Sequence, residues 1–160
     1  MSYRREPAIS NSTWILVADR AQAAIYHALW PELKHLEAIH QIQNAEGAGE
    51  QNGLTTDRFG RPDDPRAISR LGEPQTDYRH RTAQEFAVRL MSELEHGRAT
   101  SQFGRLVVVA PPLMLGILRD KYSSPLQKCV VAEIDKELVD LPVNELCAHL
   151  QGALSMVTGS

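Results

Sequence analysis

The sequence predicts a single α/β domain: a mixed five-stranded sheet with about three helices packed against it. Three observations carry this expectation. Two uninterrupted apolar runs, RLVVVA at 105–110 and KCVVAEI at 128–134, flank a segment of helical spacing, the pattern of a right-handed βαβ unit with parallel strands. The segments TWILVAD and AAIYHA, joined by a polar turn at DRAQ, read as an antiparallel hairpin. The chain of 160 residues, 42% hydrophobic and 23% charged, has the length and composition of one globular domain and excludes collagen-like, disulfide-scaffold or wholly disordered classes.

Taken in order, residues 1–12 are polar, lack periodicity and are expected to form a flexible arm, with the single domain spanning 13–155. The hairpin follows, and after Pro31 comes LKHLEAIHQI at 33–42. Its apolar residues fit both a three-residue recurrence and an alternating strand; it is read as the third strand. Residues 43–81 hold five of the ten glycines, three of the nine prolines and no periodicity, which marks a long loop. At Thr82 and Glu85 a Thr-x-x-Glu capping box precedes Ala83, Phe86, Ala87, Leu90, Met91 and Leu94, an amphipathic helix expected to end at Gly97. Strand 105–110 stops at Pro111 and Pro112, which open a helix carrying Leu113, Met114, Ile117 and Leu118. A turn at 123–125 leads to the last strand, so 107–109 and 130–131 should lie on adjacent, buried, parallel strands. Pro142 starts a final helix with Val143, Leu146, Cys147, Leu150 and Leu154 on one face.

Composition limits the function classes. Seventeen basic and twenty acidic side chains give a net charge of −3, so phosphate binding must be local rather than spread over the surface. The first apolar run, WILVA at 14–18, is too short for a signal-peptide core or a membrane span; the expectation is a cytoplasmic protein without a membrane partner. Cys129 and Cys147 lie in apolar segments without metal-ligand spacing and read as buried reduced thiols.

No P-loop, dinucleotide-binding, zinc-protease or nucleophile-elbow motif is present, and GAGEQNG at 47–53 opens no evident helix. No cofactor or metal is expected. The six histidines form no ligand pair on a helix, and His35 and His40 should face opposite sides of their strand. The strongest chemical bias is arginine: six of thirteen (Arg58, Arg61, Arg66, Arg70, Arg79 and Arg81) fall within 57–81, where there is no lysine. Their planar forks suit phosphate or carboxylate. Two readings stand side by side: the arginines pair with the interleaved Asp57, Asp63, Asp64, Glu73 and Asp77 and pin a solvated loop, or they face an anion or RNA. Gly60 provides a turn and Phe59 a tuck onto the core or a stacking surface for a base.

The segments ADRAQAAIY, LTTDRFGRPDDP, EFAVRLMSEL and LVVVAPPLMLGILR resemble the bacterial host-attachment protein family, from about Trp14 to Leu150. The motif positions are Asp19 and Arg20, Asp57 with Gly60 and Arg61, Pro111, Pro112, Gly116 and Arg119. Lys136 stands where the family shows Lys-Asp-Leu, here Lys-Glu-Leu. That family is similar to the central domain of the archaeal and eukaryotic peptide-release factors, a fold also similar to certain ribosomal proteins. In those factors a long loop before the first long helix carries Gly-Gly-Gln. Residues 43–81 occupy the corresponding place and contain no such triplet, so the resemblance implies a ribosome- or RNA-facing loop without implying peptide release.

The leading expectation is therefore a non-catalytic module that faces RNA or a ribosomal component through Arg58, Phe59, Gly60, Arg61, Arg66 and Arg70, with an indirect role in attachment. The alternatives are a carboxylate-dependent hydrolase using Asp19, Asp57 or Asp135, and an interaction scaffold in which the same loop docks a protein. A homodimer is compatible with a domain of this size.

Overall fold

The computed structural model describes residues 11–44 and 75–157. Five strands form one sheet: β1 Ser12–Ala18, β2 Gln22–Leu29, β3 Glu37–Gln43, β4 Arg105–Ala110 and β5 Val130–Asp135. The helices among the described residues are α1 Gln75–Ala99, α2 Pro112–Arg119, α3 Ser124–Cys129 and α4 Val143–Val157. The sheet order is β3-β2-β1-β4-β5. β1 pairs antiparallel with β2, and β2 with β3, while β1, β4 and β5 run parallel.

This is the mixed sheet that the hairpin and the two apolar runs predict. β1 and β4 are central and shielded on both faces: Ile15, Leu16, Val107, Val108 and Val109 are at most 1% exposed. One face packs α1, α2 and α3 over Trp14, Leu16, Ile25 and Val108. The other packs α4 over Ile15, Val17, Val107 and Val109. Alternate residues of each central strand thus enter opposite cores, which is why these strands read as continuous apolar runs.

Several expectations need correction. α1 begins at Gln75, seven residues before Thr82, and Thr82 is no cap: it is buried within the helix and its hydroxyl donates to the Arg79 carbonyl at 3.0 Å. The helix also runs past Gly97 to Ala99. Gly97 is there for space, because a Cβ would lie 2.6 Å from Cζ3 of the buried Trp14 ring. The turn at 123–125 is the start of α3: Ser123 accepts from the Leu126 amide, and Pro125 occupies the first turn. β5 is adjacent and parallel to β4, as expected, but it is an edge strand beginning at Val130 rather than a buried one. Val131 is 37% exposed because it is the extra residue where the register shifts between Leu106 and Val107. Cys129 and Cys147 are free but only partly buried. His35 precedes β3, so strand parity does not relate it to His40.

Candidate functional site

Parallel strands point their carboxyl ends to one edge of a sheet, and open α/β sheets bind ligands there, where successive connections depart in opposite directions. In this sheet that place lies between β1 and β4. From β1 the chain turns to β2, and from β4 it crosses through α2 and α3 to β5. Strand register puts Asp19 and Arg20 after β1, Pro111 and Pro112 after β4, and Asp135 and Lys136 at the end of β5, all on this edge.

Asp19 builds the hairpin turn. Its Oδ1 accepts the amides of Ala21 at 2.7 Å and Gln22 at 2.9 Å, and its own amide donates to the Gln22 carbonyl at 2.9 Å. A short side-chain acceptor closing its own turn explains aspartate here. The buried Asn44 then fastens the end of β3 to the same turn. Its Nδ2 donates to the Arg20 carbonyl and its amide to the Ala21 carbonyl. Gln22 donates to Asp140 Oδ1 at 2.9 Å, tying the turn to the connection after β5. The edge is thus cross-braced from β3 to the β5–α4 connection.

Asp19 and Asp135 are separated by β4, two strand spacings or about 10 Å, which is too far for one cation. Among the described residues no group of three or more His, Cys, Asp or Glu side chains could hold a metal ion. Asp57, the third member of the carboxylate set, lies outside the described residues. So do Arg58, Phe59, Gly60, Arg61, Arg66 and Arg70.

The stretch that carries them is bounded by Asn44 at this edge and by Gln75 at the head of α1. Gly97 sits against Trp14 near the start of β1. From there α1 extends about 33 Å back to Gln75, whereas β1 extends only about 13 Å from Trp14 to Ala18. The first turns of α1 therefore stand past the strand ends. Burial agrees: Arg79, His80 and Arg81 are exposed, and Thr82 and Ala83 are buried. Arg81 lies over the Tyr78 ring, 5.4 Å from its centroid.

The remaining motif positions have local structural roles. Pro111 is extended at φ −63° and ψ 163°, and Pro112 opens α2. A Cβ at Gly116 would meet no neighbouring atom within 4 Å, so packing does not require glycine there. Arg119, in the last turn of α2, reaches Glu133 on β5 with Nε 2.6 Å from Oε1, while Tyr122 donates to Oε2 at 3.0 Å. The carboxylate raises the Arg119 pKa above its ordinary value, and burial above all raises that of Tyr122. Tyr122 thus stays a neutral donor.

A second polar group lies at the far end of α1. The Ser123 hydroxyl donates to Glu95, whose other oxygen takes Arg98 Nε at 3.1 Å, and the serine bond lowers the Glu95 pKa. Burial raises the Cys129 thiol beside it, making it a poor nucleophile. Sequence reasoning missed both groups, because their members lie on separate elements. Only the Ser-x-Pro start of α3 gave a local signal.

A family model described as "Protein required for attachment to host cells" matches residues 14–150, the same stretch over which the motifs carry the resemblance. No curated protein matches the sequence. Among solved structures, an archaeal translation termination factor, aRF1, is similar at 13% identity and a TM-score of 0.41, covering 99% of this chain and 45% of that one. A structure described as an archaeal protein is similar at 12% identity and 0.42, covering 99% and 44%. The chain spans less than half the length of either.

Proposed function

The chain belongs to the family of proteins required for attachment to host cells, and on that premise we propose that it is a non-catalytic, RNA- or ribosome-facing module. Its contact surface is the carboxyl edge of the parallel strands together with the arginine-rich stretch whose flanking residues, Asn44 and Gln75, lie at and beyond that edge. The observation that carries this reading is the placement of Asn44 and Gln75. Asn44, before the stretch holding Arg58, Arg61, Arg66 and Arg70, lies at the edge that carries Arg20 and Lys136, and Gln75, after it, stands past that edge on the helix that carries Arg79 and Arg81. On this reading four separate parts of the chain offer cations to one side of a protein whose net charge is −3. Local positive potential on an otherwise acidic protein suits a phosphate backbone met at one face.

The module contacts phosphates through Arg58, Arg61, Arg66 and Arg70, with Gly60 shaping the turn and Phe59 offered to a base. Asp19 and Asn44 brace the edge from which that stretch departs. Attachment to host cells is then an indirect consequence, exerted through regulation or translation. A pull-down from the native cell tests this: ribosomal RNA recovered with the protein, and lost at high salt, is the expected result. A protein partner recovered without RNA would replace this reading with that of a scaffold.

A further inference from the structure

We propose that the outer edge of β3 is the interface of a two-fold homodimer. Among the described residues β3 pairs only with β2, and no described strand lies on the other side of its backbone. The Asn44 amide bonds to the Ala21 carbonyl and continues the register in which Gln22 faces Gln43 and Ala23 faces Ile42. Antiparallel pairs alternate between bonded and non-bonded, so Asn44, Ile42 and His40 bond toward β2. The amide and carbonyl of Gln41 and Gln43 therefore point outward.

Sheet edges are ordinarily guarded by charge, proline or brevity. β5, the other edge, carries Glu133 and Asp135. β3 has neither a charged residue nor proline from Ala38 to Gln43, and its one irregularity lies on the amino-terminal side, opposite Ile25 and Tyr26. The unguarded part is the run ending in Gln41, Ile42 and Gln43.

What selects a second copy as the occupant is the charge beside that run. A cleft of about 260 Å³ is lined by Gln41, Ile42 and Gln43 together with Arg89 and Glu93 of α1. The two charges stand one helical turn apart, and Glu93 lies level with His40, its Oε1 3.9 Å from the imidazole. A two-fold axis through Gln41 brings each Arg89 beside the second copy's Glu93. The same patch is then complementary to itself, as an isologous interface requires. Gln41 of each copy exchanges both backbone hydrogen bonds with its counterpart, and His40 and Ile42 face one another across the axis on the cleft side.

Sedimentation equilibrium of the full chain, from about 1 to 500 µM to cover the range of a small interface, should show self-association to twice the 17.8 kDa chain mass. Gln41→Pro deletes the outward amide without touching the ladder to β2, and should raise the dimer dissociation constant about tenfold or more. Arg89→Glu and Glu93→Arg should each weaken the dimer alone, whereas an equimolar mixture of the two should form a heterodimer, which also decides the matter if the proline variant does not fold. A monomer at every concentration would overturn the proposal, as would a dimer indifferent to all three substitutions or a mixture no more associated than its components.

Discussion

Gly97→Ala isolates the packing of α1 on the sheet from helix propensity. In a helix interior, alanine is favoured over glycine by about 1 kcal/mol. At Gly97 the added Cβ would fall 2.6 Å from Cζ3 and 3.0 Å from Cζ2 of Trp14. That ring is 2% exposed, and it is held by Phe103, with centroids 4.7 Å apart, and by His40 edge-on at 5.9 Å. It has nowhere to move, so overpacking should cost about 1–3 kcal/mol. The net effect is a destabilisation of about 1 kcal/mol and a fall of about 2–4 °C in Tm. Gly116 and Gly152 are also helical, but nothing lies within 4 Å of a Cβ at either. Gly116→Ala and Gly152→Ala should each stabilise by up to about 1 kcal/mol. Urea denaturation followed by tryptophan fluorescence and far-ultraviolet dichroism reads all three. The reasoning fails if Gly97→Ala shifts the midpoint in the same direction as the other two.

Val108 is fully buried between β1 and β5, so Val108→Asp should cost several kcal/mol and abolish cooperative melting; a soluble, cooperatively melting variant would contradict its placement. Asp19→Ala removes the acceptor for two amides and should destabilise by about 1–2 kcal/mol, with Asp19→Asn restoring most of the loss in thermal melts. Arg119→Ala deletes a mostly exposed ion pair and should leave the midpoint of a urea titration almost unchanged. Ser123→Ala tests the Glu95 contact through pH. Because the folded carboxyl titrates below its ordinary value of 4.5, its stabilisation is complete above that value and is lost as pH falls through the lowered one. The stability gap between wild type and variant should therefore narrow below about pH 4.5 to the pH-independent remainder contributed by the α3 cap, whereas a gap constant with pH would exclude the contact.

The strands were legible where burial acts on every residue. Val107, Val108 and Val109 are apolar in succession because two separate cores claim them alternately, and the hairpin was marked by its turn. The first two turns of α1 were not legible, since residues 75–81 carry no apolar recurrence and Arg79, His80 and Arg81 are exposed past the strand ends. Thr82 stood where burial begins and so looked like a cap. Gly97 matched a helix stop by residue type, though its reason is a tryptophan on another element. α3 is six residues long, too short for periodicity, and the edge position of β5 follows from topology rather than from its own composition. The same holds for the candidate site. Asp19, Pro111 and Lys136 are far apart in sequence, and only the strand order puts them on one edge. The family resemblance named these positions without indicating that they share it.

The central claim is that the arginines of the stretch between Asn44 and Gln75 bind phosphate. It is tested most directly by titrating RNA into the wild type and into Arg58→Gln/Arg61→Gln/Arg66→Gln/Arg70→Gln at two salt concentrations, with thermal melts of both. The account predicts that wild-type affinity falls steeply with salt, and that the variant binds more weakly, with a log–log salt slope smaller by about 3 and an almost unchanged Tm. A destabilised variant together with no RNA binding by the wild type would show that the arginines pair with Asp57, Asp63 and Asp64 instead, and would contradict the claim.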